Sequence, residues 1–372
     1  RTDLAVQALK TIDHCSTAWL SDALDSPVRT FQAKEILGEG YASKMYRLHL
    51  EYEQQSDEEN LPNTLILKLA TQQSVQVDLM EENTLFREVN FYQGPGAELI
   101  DITPKIYVAT GDLETLSITL LMEDLGEIPH KPFRENLENS LIAMDVLATI
   151  HAIFWDADVL KTREFSPIAS EITESNLLAL LQENLFAEAK ADYEFTYLSR
   201  CMRHLVKLLP WLLGETDEFR GATTLIHGDF HTRNLLIDHN KAKIFDWQVT
   251  ERGVPAKDVA YWILTNVDVE DVDEFKPLLI DRYLSSLKAA GVQDYSRNVF
   301  RRDYFEIVGE LIPRMFCYQT LITLSDSDKH ELENFLARSE KAAKTQYLLP
   351  TLILLRLLAP PVVTLLRLIG KR

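Results

Sequence analysis

The stretch LIHGDFHTRNLLIDHNKAKIFDWQ, Leu225–Gln248, constrains this chain more than any other part of it. Its two short apolar runs read as the buried strands of a hairpin, and His227, Asp229, Asn234 and Asp246 stand at their edges. Such edges can hold reactive groups rigidly. Asp229 and Asn234 are spaced D-x-x-x-x-N, and Asp246 follows Asn234 by twelve residues, directly after the run AKIF. A carboxylate beside an incoming hydroxyl can orient it and take its proton. A second carboxylate and an amide oxygen are hard donors suited to Mg²⁺, which keeps substrate phosphate oxygens in its shell. Positioning and charge neutralisation are most of what phosphoryl transfer requires. Each residue taken alone has a plainer reading, with Asp229 and Asn234 capping turns and Asp246 starting one.

The rest of the chain sorts into two parts. After one or two amphipathic helices up to about Asp25, FQAKEILGEGYASKMYRLHLEY reads as strand, tight turn and strand. TLILKLA is a short buried strand, and SVQVDLMEENTLFREVNFYQGPG a helix with Leu79, Leu85, Phe86 and Val89 on its apolar side. KIYVATGDLETLSITLLMEDLG is a further pair of strands. After Gly126 the periodicity becomes helical over 136–220, is interrupted by the opening hairpin, and is helical again from about Lys257. The expected organisation is α+β: a strand-rich N-terminal lobe over 1–122, a join at 123–126, and a larger, mostly helical lobe over 127–372 that carries the hairpin 225–248.

HGDFHTRN followed by IFDWQ resembles the catalytic loop and metal-binding segment of the aminoglycoside phosphotransferase and choline kinase group. Within that group FDWQ and LLMEDLG look closest to the ecdysteroid-kinase-like small-molecule kinases and their bacterial relatives. The resemblance runs from about Leu37 to Trp262 and implies the two-lobed protein-kinase-like fold, with ATP and Mg²⁺ as cofactors and a small-molecule alcohol as substrate. It makes Asp229 the catalytic base, Asn234 and Asp246 the Mg²⁺ ligands, and His227 a structural residue of the loop. Gly228 stands where many protein kinases have an Arg that receives an activation-loop phosphate, so switching of that kind is not expected. His231 and Arg233, inside the loop, are open between phosphate or substrate contact and simple exposure.

The same resemblance places Lys68, in LILKLA, on the α- and β-phosphates. An ammonium among apolar residues needs a counter-charge, and Glu88, twenty residues on in TLFREVNFY, is the natural partner, with Arg87 and Glu82 on other faces or turns. LGEGYASKMYRL resembles the phosphate-covering hairpin: Gly38 and Gly40 allow close backbone approach and Ser43, where a third Gly would stand, can donate to a phosphate oxygen. In LLMEDLG, Glu123 and Leu125 are the expected main-chain contacts to the adenine edge, and Met122 the residue behind the pocket. Asp258, in GVPAKDVAYWIL, matches the family's buried Asp that braces the catalytic loop, with a helix N-cap as the plainer role.

Two other readings compete. A nucleotide-binding scaffold without turnover is disfavoured because Lys68, Glu88, Asp229, Asn234 and Asp246 are all present. A protein kinase is disfavoured because only twelve residues separate Asp246 from Asp258, leaving no room for a long activation loop. The formal charge of −19 and pI near 4.9 argue against nucleic-acid binding. Cys15, Cys201 and Cys317 are odd in number and far apart, as expected of reduced thiols in a cytoplasmic protein. The chain opens on Arg1, which leaves room for a preceding segment, and its first twenty residues lack the apolar run of a signal peptide. The apolar stretch 347–370 is interrupted by Arg356, Arg367 and Pro360–Pro361, so no transmembrane span is expected. It reads as short helices packed on the protein, or as a contact for a membrane surface or a partner.

Overall fold

The computed structural model describes residues 7–36, 43–53, 61–71, 82–127, 133–166, 221–238, 241–321 and 326–345, with isolated positions at 197, 200–201, 204 and 350–351. Gly38, Gly40, most of 167–220 and nearly all of the apolar stretch 347–370 lie outside these residues. The chain divides into two units, one of Arg1–His130, Val159–Ser166 and Asn234–Glu251, the other of Lys131–Asp158, Pro167–Arg233 and Arg252–Arg372.

The first unit is built on an antiparallel sheet of β1 (Val28–Ile36), β2 (Lys44–Tyr52), β3 (Thr64–Thr71), β4 (Ile106–Asp112) and β5 (Ser117–Glu123), in the order β1-β2-β3-β5-β4. Helix α1 (Thr17–Leu24) is capped by Ser16, whose hydroxyl accepts the Trp19 N–H at 3.1 Å, and α2 is Glu82–Gln93. From Leu65 to Ala70 the central strand β3 is buried on both faces and apolar apart from Lys68. Leu65, Leu67 and Leu69 join a core with Leu20 of α1, while Ile66 and Ala70 join a second core with Phe86 and Val89 of α2. The two-residue period of a strand puts Lys68 on the α2 side, between Ile66 and Ala70. That alternation alone aims its ammonium at the helix.

Helix α2 lies tight against β4 at Gly111, where an added Cβ would come within 2.5 Å of the Phe86 ring. Gly111→Ala is therefore expected to destabilise the protein by about 1–3 kcal/mol through overpacking. A urea denaturation midpoint equal to that of the wild type would contradict this. Burial pushes the Cys15 thiol in the α1-side core up to about 11, which makes it a packing residue rather than a reactive one.

Further along come the short strands β6 (Thr224–Ile226), β7 (Leu235–Asp238) and β8 (Lys241–Ile244). In the first unit β7 and β8 form an antiparallel hairpin with Leu235 opposite Ile244. Asn234 precedes β7 and Asp246 follows β8 by two residues, so the hairpin brings both to its open end, where the Phe245 N–H donates to the Asn234 carbonyl at 3.2 Å.

The second unit is helical: α3 (Leu137–Ile153), α4 (Ala256–Asn266), α5 (Val272–Ala289), α6 (Arg297–Leu321) and α7 (Asp326–Thr345). Asn136 caps α3 by accepting the Asn139 N–H at 2.9 Å. Pro255 opens α4, where its fixed φ suits a first turn. At the other end of α4 the buried Arg338 of α7 donates to the carbonyl of Thr265, and also to that of Phe133 at 2.9 Å. A cation is favoured at a helix C-terminus. Among the described residues no helix is long and apolar enough to cross a membrane.

Candidate active site

Each unit carries one cluster of the polar residues singled out above. In the first unit, Lys68 Nζ lies 2.6 Å from Glu88 Oε2 and 2.7 Å from Asp246 Oδ1. The Lys68 and Glu88 side chains are only 6% and 2% exposed, whereas Asp246 keeps 31%. Burial by itself would pull the Lys68 pKa down; the facing carboxylates of Asp246 and Glu88 outweigh it and hold the ammonium above its ordinary value. Burial pushes the Glu88 carboxyl up, against the opposing pull of Lys68. Arg87 turns elsewhere: it is fully buried and its Nη1 donates to the carbonyls of Ser166 and Thr250, each at 2.9 Å. The choice of Glu88 as the partner of Lys68 is settled by that geometry.

Glu88 also reaches the hairpin's exit, where its Oε1 accepts the Trp247 N–H at 3.3 Å. Trp247 is fully buried and stacks on Phe91 of α2, ring centroids 4.0 Å apart and planes 11° apart. Asp246, between these anchors, has φ 66°. A non-glycine residue pays for the left-handed region, and Asp246 is kept there by the contacts on both sides of it. Lys68 engages Oδ1 of Asp246, and the hairpin brings Asp246 and Asn234, a carboxylate and an amide with hard oxygen donors, to the same end. That donor set fits Mg²⁺, which takes few protein ligands and completes its shell with water and phosphate. No group of three or more His, Cys, Asp and Glu among the described residues could hold a metal by itself.

Ser43 stands just before β2 and is half-buried. At the far end of β5, the Glu123 N–H donates to the Lys105 carbonyl at 2.8 Å, so a ligand contact there has to use the Glu123 carbonyl. The following residue, Asp124, is gripped by Arg47 of β2, Nε to Oδ2 at 2.8 Å and Nη2 to Oδ1 at 3.2 Å. Arg47 Nη2 also donates to the Gly126 carbonyl at 2.7 Å. This fork fixes the course of residues 123–126; Gly126 itself has φ 85°.

In the second unit, α4 acts as a template for the loop around Asp229. Asp258 is not an N-cap: it lies in the first turn of α4 and is fully buried. Its carboxylate accepts the N–H of His227 at 2.7 Å and of Gly228 at 2.9 Å. Gly228 has φ 83°, which suits glycine and would strain most other residues. Burial would raise the Asp258 pKa, but hydrogen bonding from His151 and the charges and N–H groups around it bring it below the ordinary range. His151 of α3 places Nε2 3.4 Å from Asp258 and Nδ1 2.8 Å from the hydroxyl of Tyr283 on α5. α3 and α5 are thus linked, through His151, to the carboxylate that holds the loop backbone. Asn266, at the end of α4, accepts the Thr232 N–H on its side-chain oxygen at 3.0 Å, and Glu135 accepts the Thr232 hydroxyl at 3.0 Å.

Asp229 itself is partly exposed, 29% by side chain. Its Oδ1 accepts the Tyr261 hydroxyl at 2.5 Å, and its Oδ2 faces His231 Nε2 at 3.3 Å. Burial would raise its pKa; His231, then Tyr261 and His227, outweigh that and hold it well below the usual carboxylate range. The loop uses its two histidines alike. His227 Nδ1 accepts the Asp229 N–H at 3.3 Å, and His231 Nδ1 accepts the Arg233 N–H at 3.2 Å. An accepting Nδ1 carries no proton, so the N–H of His231 is on Nε2, toward Asp229. The Arg233 guanidinium lies over the Phe133 ring, 4.0 Å from its centroid. Sequence reasoning named neither Tyr261 nor His151, Tyr283, Asn266 or Trp247. The i, i+3 spacing of Asp258 and Tyr261 was the available signal for Tyr261, since it puts both on one helix face.

A sheet-based N-terminal part with a helix on each face and a helical C-terminal part, with a polar loop ahead of a β-hairpin, define a protein of the kinase-like α+β class. The sequence matches the ecdysteroid kinase-like family over residues 37–293, and the chain belongs to that family, a family of small-molecule kinases. No individually curated protein matches it significantly. Among solved structures, the choline kinase of Cryptosporidium parvum Iowa II is similar in fold, with a TM-score of 0.52 at 13% identity, over 86% of this chain and 92% of that one. A proposed aminoglycoside phosphotransferase of Ralstonia eutropha JMP134 gives a TM-score of 0.51 at 12% identity, over 89% and 97% of the two chains.

Proposed function

We propose that the chain is an ATP-dependent phosphotransferase that phosphorylates a hydroxyl group of a small molecule, with Asp229 as the catalytic base and Asn234 and Asp246 as Mg²⁺ ligands. The observation that carries this reading is the buried Lys68 ammonium, held at 2.6 and 2.7 Å between Glu88 and Asp246. A buried cation fixed by two carboxylates is costly as a stabilising device, and it is well suited to meeting the oxygens of a polyphosphate.

In this reading Lys68 binds the α- and β-phosphates, while Gly38, Gly40 and Ser43 cover them. The adenine edge meets the Glu123 carbonyl and the Leu125 N–H, on the segment that Arg47 holds in place. Mg²⁺, when bound, neutralises the phosphate charge. Asp229 accepts the hydrogen bond of the acceptor hydroxyl and orients its oxygen toward the γ-phosphorus. As the new P–O bond forms and the bond to the β-phosphate oxygen breaks, the hydroxyl proton passes to Asp229 and ADP leaves. The depressed pKa of Asp229 keeps this group ionised and able to accept throughout the neutral range.

The test is ATP consumption across a library of hydroxyl compounds, with a thermal-shift series alongside. Mg·ATP is expected to raise the Tm of the wild-type chain, and Asp246→Ala to lose the Mg²⁺-dependent part of that shift. Equal Mg²⁺-dependent shifts in both chains would remove Asp246 as a ligand.

A further inference from the structure

We propose that Tyr261 is a positioning residue for the Asp229 carboxylate, its hydroxyl holding Oδ1 so that the remaining lone pairs are presented in a fixed direction. The geometry begins with α4. Asp258 ties down the backbone of His227 and Gly228, and Tyr261, one turn further along the same face, reaches past the backbone to the side chain of the next residue. At 2.5 Å the contact between Tyr261 and Asp229 is a short charge-assisted bond.

The second oxygen is bounded as well. His231 places its Nε2 3.3 Å from Oδ2, and its ring lies 29° from the plane of Tyr261 with centroids 6.3 Å apart. The ring orientation of His231 is set in turn by Phe133, edge-on at 5.0 Å, and by the Arg233 N–H on Nδ1. A carboxylate fastened at one oxygen can still swing about its terminal bond, whereas one bounded at both oxygens is restricted in rotation. Each oxygen can accept more than one hydrogen bond, so an acceptor hydroxyl can still dock on Asp229 in a restricted set of directions. Orientation of this kind is a large part of what a fixed base contributes. Among the described residues, Tyr261 from α4 and His227 and His231 from its own loop face Asp229. Tyr261 keeps its proton in the reaction; the proton of the acceptor goes to Asp229. The catalytic meaning of the contact rests on the base assignment above, but the contact can be tested without it.

Two measurements on the full chain separate the two. The first uses protein labelled with ¹³Cγ-aspartate at neutral pH, with Asp229→Asn identifying the Asp229 carboxyl signal. Tyr261→Phe, which removes one oxygen and keeps the ring, is expected to move that signal while the other aspartate signals stay in place. An unmoved Asp229 signal overturns the proposal whatever the chain catalyses. The second is Mg·ATP hydrolysis with water as the acceptor. Tyr261→Phe is expected to lower kcat about tenfold with an unchanged KM for Mg·ATP. A variant that hydrolyses as fast as the wild type overturns the positioning role. An Asp229→Asn chain with wild-type hydrolysis sinks the base assignment and the positioning role with it, while the carboxyl signal still decides whether the contact exists.

Discussion

Asp229→Asn is expected to lower phosphoryl transfer by about 100- to 10,000-fold, the usual contribution of a general base, while Mg·ATP affinity stays essentially unchanged. The substitution keeps the shape of the side chain and one carbonyl-type oxygen, so the Tyr261 hydroxyl retains an acceptor in place of Oδ1. It removes the anion to which the proposed function assigns orientation of the acceptor hydroxyl. It also turns an amide NH₂ toward the Nε2–H of His231, whose Nδ1 is committed to the Arg233 N–H. Two donors then face each other, and a small loss of stability accompanies the loss of turnover. Rapid-quench transfer from radiolabelled ATP, with isothermal titration for binding, measures both halves. Near-normal transfer to the true acceptor would show that some other group takes the proton.

Lys68→Met should cost stability as well as nucleotide binding. Glu88 is 2% exposed, and removing its cation leaves a carboxylate in the α2-side core without its principal counter-charge. Breaking a buried pair from one side costs about 3–5 kcal/mol. The pH dependence identifies the cause. Burial already pushes the Glu88 carboxyl up, and Lys68 is what opposes this, so the variant raises it further. A carboxyl whose folded pKa lies above its unfolded value of about 4.3 contributes stability below that pH and loses it as pH rises through the folded pKa. The variant is therefore expected to be closest to the wild type near pH 5 and to fall behind toward pH 8 in urea denaturation. A constant difference across that range would mean that the lost stability came from packing and not from the stranded carboxylate.

The parts of the site that local pattern determines were legible. One lysine inside the apolar run of β3 has a face dictated by strand alternation, and a carboxylate twenty residues on, in an amphipathic helix, falls within its reach. The hairpin is similar: two apolar runs and a turn determine that Asn234 and Asp246 leave from the same end. What was not legible depends on contacts between elements distant in sequence. Asp258 could equally have been a cap from its place near Pro255, and only the N–H groups of residues 227 and 228, about thirty positions back, decide otherwise. His151 lies in an apolar helical stretch and looks like any core histidine until Tyr283, 132 residues away, and Asp258, 107 away, meet its ring. The φ of Asp246 is likewise set by anchors in β3 and α2, and nothing in IFDWQ announces it.

The stacking of Trp247 on Phe91 has a mechanical consequence. Helix α2 cannot slide or tilt independently of the segment that follows β8, because an aromatic face, a main-chain hydrogen bond and an ion-paired lysine would all have to part together. Aromatic pairs contribute about 0.5–1.5 kcal/mol beyond the area they bury, and both rings here are fully enclosed. The two pieces travel as one body. Any movement that swung the helix away would have to drag Asp246 along with it.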